Sequence, residues 1–268
     1  MAAQQTIAFT ISGHNEAHLL KNALESVKWA DELVYVDCDS LDNSIEVAKA
    51  YTEKVYSRPN LLNLNVNKTF GMEKAETDWI FFLDCDEVIS PALAEEIKRV
   101  INSNPEENAF WLPRRNYYFG KLLKKGNKYP DEQLRLFRRG KAHFPLVQQH
   151  EKLVIEGSTG LLTEAMDHYT LDSPGQAIRT LNFRSDCDAL RLINAGFTHS
   201  KRNAFNFVVY KPFKRLTNYY IKKRGYKEGM YGLMAFIFYA LEFPMSYFKA
   251  WHWTVYPERK PEWEKRDF

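Results

Sequence analysis

Two periodicities alternate through the first hundred residues. Thr6–Ser12 is a short β-rich run, and from Asn15 to Trp29 the apolar positions Leu19, Leu20, Ala23, Leu24 and Val27 fall on one face of a helix. Glu32–Asp37 reads as a second strand ending in an acid, Ser44–Tyr51 as a helix and Lys54–Ser57 as a brief third strand. After a helical stretch at Asn67–Glu76, the unbroken apolar run Trp79–Leu83 predicts a strand buried on both faces. Ser90 before Pro91 marks a helix start, with Leu93, Ile97, Val100 and Ile101 on the inner face and Asn104-Pro105 as the stop. Strands alternating with helices in this way predict a parallel sheet wrapped by crossover helices.

Beyond Pro105 the rhythm turns extended, at Ala109–Arg114, Gln133–Arg138 and Leu153–Ile155, before a helix from Pro174 to about Ala195. Two further helices are expected, roughly Ala204–Arg224 and Met230–Phe243. The expected fold is therefore α/β, a Rossmann-like mixed sheet flanked by helices over residues 1–195, with a helical extension over 196–268.

Composition narrows the class. Over 268 residues, 45% hydrophobic and 26% charged content match an ordinary globular protein and exclude a wholly disordered or membrane-embedded chain. Cys38, Cys85 and Cys187 are too few and too scattered for a disulfide framework or a zinc knuckle, and suit a reducing compartment. Met1–Gln5 has no basic n-region, so no signal peptide and a cytoplasmic catalytic part are expected. The net charge of +3 conceals an asymmetry: residues 198–268 hold fourteen Lys or Arg against six Asp or Glu. Within 198–227 nine basic residues are interleaved with aromatics and no acid occurs.

Candidate chemistry sits where strands end. In open parallel sheets ligands bind beyond the carboxyl ends of the strands. Here those ends read Ser12-Gly13-His14-Asn15-Glu16, Asp37-Cys38-Asp39-Ser40 and Asp84-Cys85-Asp86-Glu87. Carboxylates gathered at one rim repel one another unless a cation or ligand donors offset them. A hard divalent ion shared between protein and phosphate oxygens would do so. An Asp-x-Asp also arises by chance and can simply cap the next helix.

These strand ends, with Ser26–Glu32, Trp79–Glu87 followed by Ser90-Pro91, Asp131–Arg139, His150-Glu151 and His168-Tyr169, resemble family 2 glycosyltransferases of the GT-A fold. Among them, the likeness is to lipopolysaccharide-core enzymes of the heptose glucosyltransferase type. It implies an inverting, metal-dependent transferase using Mg²⁺ or Mn²⁺ and a nucleotide-sugar donor, most simply UDP-glucose, with a glycolipid or oligosaccharide acceptor. Carried onto this chain, it places Asn15, Glu16 and Asp37 in the nucleotide pocket, Asp84 facing the ribose, Asp86 on the metal and Lys68 where an arginine is usual. Ser12, Asp39 and Cys85 complete the donor-binding set at the same strand ends.

The run Asp37-Cys38-Asp39-Ser40-Leu41-Asp42 departs from the family's Ser-Gly-Ser-Thr-Asp, and Thr69 replaces an asparagine, which leaves base and sugar selectivity open. Glu151 is the first choice for the base that takes the acceptor's proton, and Asp131 is its competitor. Asp131 could instead cap a turn after Pro130, and Glu151 could pair with Arg135 or Arg138. Those two arginines are candidates for the donor phosphates, an ordinary ion pair being the alternative. His168 is the candidate second metal ligand, although a lone histidine is more often structural.

A nucleotidyl- or phosphoryl-transfer enzyme is opposed by the lack of a GxxxxGK[ST] loop and of a Gly-rich fingerprint after the first strand. A catalytically inactive sugar-nucleotide-binding or scaffold protein is the remaining alternative. The basic, aromatic residues 198–250 suit an anionic membrane surface, hence a peripheral position on the inner face of the cytoplasmic membrane. Packing of the apolar helix on the catalytic domain would explain the same residues. No nucleic-acid motif accompanies them, so nucleic acid is not an expected partner.

Overall fold

Apolar runs such as Trp79–Leu83 carry no charge and fit only the middle of a sheet. A computed structural model, which describes residues 4–61, 63–146 and 151–261, places them there. Strands β1 (Ile7–Gly13), β2 (Glu32–Cys38), β3 (Val55–Arg58) and β4 (Trp79–Asp84) are parallel, in the order β3-β2-β1-β4. Helices α1 (Ala17–Val27), α2 (Ser44–Lys49) and α3 (Leu64–Lys74) make the crossovers. Phe9 stacks on Phe81 at 4.9 Å, and both are fully buried. Each such side chain contributes about 1.5–3 kcal/mol by leaving water.

After β4 come β5 (Glu87–Val88), α4 (Pro91–Asn102), β6 (Ala109–Tyr118), β7 (Lys121–Leu122) and β8 (Asp131–Arg138). Four short or late strands follow: β9 (Ala142–His143), β10 (Val154–Ile155), β11 (Thr159–Leu161) and β12 (Met166–Leu171). The Ser90 hydroxyl accepts from the Leu93 N–H at 3.2 Å, so the expected cap is real. β8 runs antiparallel to β4, pairing Arg138 with Trp79 and Leu136 with Phe81, and β6 runs antiparallel to β8. The mixed α/β sheet flanked by helices is thus the expected fold class.

Two compact units emerge, and they do not divide at residue 195. One holds the chain up to Arg114 together with Asp131–His168; the other holds Arg115–Pro130 and the chain from Tyr169 onward. Helix α5 (Pro174–Asn194) therefore belongs with α6 (Lys201–Phe205), α7 (Lys211–Leu216) and α8 (Gly229–Val255). The π-helical segment Asn206–Tyr210 joins α6 to α7, and a second, Thr217–Lys222, prolongs α7. Buried Glu228 accepts from the N–H groups of Lys124 and Lys125 at 2.8 and 2.7 Å, which ties the 115–130 excursion to the start of α8.

Pro244 was expected to end the last helix near Phe243, yet α8 continues to Val255. The lost backbone bond is outweighed by packing on both sides of it. Tyr247, Ala250 and Trp253 are buried beyond the proline, and Lys249 bonds Asn182, Ser185 and Asp186 of α5 at 2.6–2.9 Å. The other side of α8 is unlike a usual surface. Met230, Ile237, Leu241, Phe248 and Val255 are all exposed and lie within about 20° of one line along the helix. Among the described residues no helix is long and apolar enough to cross a membrane.

At the rim, β1 and β4 approach too closely for a side chain on Gly13. A Cβ there would lie 2.4 Å from the Cys85 Sγ. Gly13→Ala is therefore expected to cost about 1–3 kcal/mol through overpacking, read as a fall in melting temperature. Adding Cys85→Ala to that variant should return most of the loss.

Candidate active site

Register brings the strand ends to one level. Ser12 lies opposite Val36 on one side and Asp84 on the other, and Gly13 lies opposite Asp37. Above them α3 closes a crevice of about 190 Å³, lined by Ser12, Asn67, Lys68 and Phe82 among others. The two loops beyond the rim are laced together. Asn15, whose φ of 57° lets its side chain reach across, accepts from the Leu41 N–H at 2.7 Å, and its own N–H donates to Ser40 at 2.9 Å. The Glu16 N–H donates to the Ser44 hydroxyl at 3.2 Å.

The charges at this rim are arranged as a ladder. Lys68 on α3 contacts Asp84 at 2.6 Å, and Asp84 accepts from Arg135 at 2.8 Å. Arg135 also donates to Glu87 at 2.6 Å, Glu87 accepts from Arg114 at 2.8 Å, and Arg114 donates to Asp131 at 2.7 and 3.0 Å. Three cations alternate with three carboxylates, and the middle members are buried, Glu87 completely and Arg135 at 4% exposure. Burial alone would raise the Asp84 pKa, but Lys68 and then Arg135 hold it well below the usual carboxylate range. Burial likewise opposes the charge on Arg114, and Glu87 and Asp131 more than restore it. The expected excess of acid at the strand ends is thus largely offset by the protein's own side chains.

Asp86 stands outside the ladder. Its Oδ2 lies 3.1 Å from the His168 Nε2, delivered by β12, whose His168 and Asp167 pair with Glu87 and Val88 of β5. That spacing suits adjacent ligands of one ion, since about 3 Å separates neighbouring donors in an octahedron with bonds near 2.1 Å. A carboxylate and an imidazole together are donors that Mn²⁺ accepts readily and Mg²⁺ less so. Among the described residues no group of three His, Cys, Asp or Glu is placed to hold an ion. The residues therefore fit a divalent ion as a two-ligand site whose remaining positions would be filled from outside the protein.

The profile of glycosyl transferase family 2 matches residues 10–169, which include every rung of the ladder and both members of the Asp86–His168 pair. The chain belongs to glycosyltransferase family 2. A lipopolysaccharide core biosynthesis glycosyltransferase, LpsC of Rhizobium meliloti, is 27% identical over 233 residues, covering 85% of this chain and 84% of its own. An uncharacterized glycosyltransferase of Rickettsia felis is 29% identical over 205 residues, 70% of each chain. Among solved structures, a Pyrobaculum calidifontis mannosyltransferase in complex with GDP-Man and Mn²⁺ is 11% identical with a TM-score of 0.49, covering 96% of this chain and 89% of its own.

Several of the expected site residues make contacts of their own within the protein. Asp37 is 1% exposed, and its carboxylate accepts from the Ser40 N–H at 3.0 Å, which braces the β2 loop from inside. Cys85 is buried, with its Sγ 3.5 Å from the Ser12 carbonyl, and burial pushes its thiol well up. It packs β4 on β1. Arg138 is carried to the opposite end of β4, where its guanidinium lies 4.5 Å over Trp79 and donates to the Pro105 carbonyl at 2.6 Å. Asp39 is exposed and accepts from the Asn60 N–H at 3.1 Å. Asp131 accepts from Arg114 at 2.7 and 3.0 Å and from Gln133 at 2.9 Å.

Glu151 is half-buried, and its carbonyl accepts from Asn65 near the start of α3 at 3.5 Å; His150 lies outside the described residues. Arg114 and Glu87 are the residues that sequence reasoning missed as parts of the site. Their signal was present in the polar positions of β6 and in the fourth acid of the Asp84–Glu87 run. Removing Arg135 leaves two carboxylates facing one fewer cation, so Arg135→Met should lower stability by about 3–5 kcal/mol. Arg138→Gln, at the far end of the same strand, should leave turnover within twofold; both are checked by denaturant unfolding beside a donor-turnover assay.

Proposed function

We propose that this family 2 enzyme is an inverting transferase that moves a sugar, best read as glucose from UDP-glucose, onto a lipopolysaccharide-core or similar glycolipid or oligosaccharide acceptor. The observation that carries the reading is the Asp86–His168 pair beside strand ends that hold Ser12 and Asp84, with Lys68 of α3 against Asp84. The name of the LpsC relative, aligned over 85% of this chain, supports the acceptor class. Mg²⁺ or Mn²⁺ held by Asp86 and His168 would offset the charge that develops on the departing nucleoside diphosphate.

The chain's own residues supply the rest. With Asp131 bound to Arg114, Glu151 is the base: it takes the proton of the acceptor hydroxyl as that oxygen attacks the anomeric carbon and the bond to the diphosphate oxygen breaks. Asn15 and Glu16 border the nucleotide, and Lys68 keeps the Asp84 carboxylate oriented and ionised. Glu151→Gln is expected to lower kcat at least a hundredfold with little change in donor KM. Asp86→Ala should abolish metal-dependent turnover, and donor binding without turnover by the unaltered enzyme would point to a sugar-nucleotide-binding protein instead.

The helical unit is proposed to rest on an anionic membrane surface at the inner face of the cytoplasmic membrane. Support comes from the exposed line on α8 together with exposed Phe205, Phe213 and Ile221 in a segment rich in Lys and Arg. Flotation with vesicles containing anionic lipid should fall sharply for Ile237→Asp/Leu241→Asp/Phe248→Asp and weaken at high salt. Equal flotation of the two proteins would remove this part of the reading.

A further inference from the structure

We infer that Glu87, a carboxylate without access to any substrate, is the positioning residue that sets Asp86 and His168 at their working distance. Three contacts meet on it. Its Oε1 accepts from Arg135 at 2.6 Å and from Arg114 at 2.8 Å, and its Oε2 accepts from the Asp84 N–H at 3.1 Å. That last bond closes the four-residue turn Asp84-Cys85-Asp86-Glu87 with Asp86 held inside it. The backbone of Glu87 lies opposite His168 in the β5–β12 pairing. One residue therefore locates the first member of the pair through the turn and the second through the strand.

Only a carboxylate serves here. Both oxygens of Glu87 face donors, two guanidinium groups and one backbone N–H, and Glu87 and Arg135 are themselves buried. A glutamine of the same shape would turn an NH₂ group toward one of those donors and leave three cations against two carboxylates in the ladder. Arg135 would then draw more heavily on Asp84, and the closing bond of the turn would be opposed whenever the amide nitrogen faced the Asp84 N–H. The displacement reaches Asp86, the next residue along the chain.

This inference rests on the reading of Asp86 and His168 as an ion-binding pair, and the experiment separates the two. Mn²⁺ binding is measured by electron paramagnetic resonance in the presence of UDP, together with the melting temperature. Asp86→Ala should lose the bound Mn²⁺ signal; if it binds as the unaltered protein does, the ion-binding reading itself fails. Glu87→Gln should remain folded and bind Mn²⁺ at least tenfold more weakly. In Glu87→Gln/Arg114→Gln, where two cations again face two carboxylates, affinity should recover at least threefold over Glu87→Gln, which general damage to the fold would not produce.

Should Glu87→Gln fail to fold, the balanced double variant carries the test, its affinity expected between those of the unaltered protein and Asp86→Ala. Loss of Mn²⁺ binding in Asp86→Ala with affinity within twofold of the unaltered protein in Glu87→Gln, or in the double variant when it stands alone, overturns the positioning role. So does a second substitution that only adds to the first.

Discussion

The ladder from Lys68 to Asp131 is the constraint around which this end of the molecule is organised. Its members come from α3, β4, β5, β6 and β8, so five elements must arrive in register before each charge meets its neighbour. Buried ion pairs add little net stability because desolvation offsets their attraction, but a missing partner is costly. Such an arrangement rejects misaligned strands more strongly than it stabilises the aligned one. It fixes β8 against β4, and with it the strand ends at which Asp86 is presented.

The parallel half of the sheet was legible because its signals are local. The apolar run at Trp79–Leu83 and the Ser90-Pro91 cap each describe a single element, and both hold in the structure. The acidic strand ends were also visible as residues, and Asp86 and His168 do come together. What the sequence did not carry was which way each carboxylate turns. Asp37 and Asp84 look alike as acids that end strands, yet one is turned inward to a backbone N–H and the other is gripped by two cations.

Arg135 and Arg138 show the same limit on β8. Both stand on one strand three residues apart, but an antiparallel strand spends those residues travelling from the rim toward the far end of β4. Only a register, which depends on the partner strand, tells which arginine reaches the acids. Helix α8 fails to end at Pro244 for a related reason: a local breaker was outweighed by residues more than fifty positions away in sequence on α5. Long-range packing overrides propensity in both places.

The division of the chain into units bears on how such a protein can change over generations. Between Arg114 and Tyr169 the backbone leaves the sheet-bearing unit, returns to it and leaves again. No single crossover in the coding sequence could exchange the helical unit for another, because the stretch 115–130 would stay behind with Tyr118 and Leu123, whose apolar neighbours Leu171, Ala177 and Ala235 lie after the break. Recombination would need two breakpoints matched to each other. Point substitution, accumulating in both segments together, is the accessible route by which this unit diversifies.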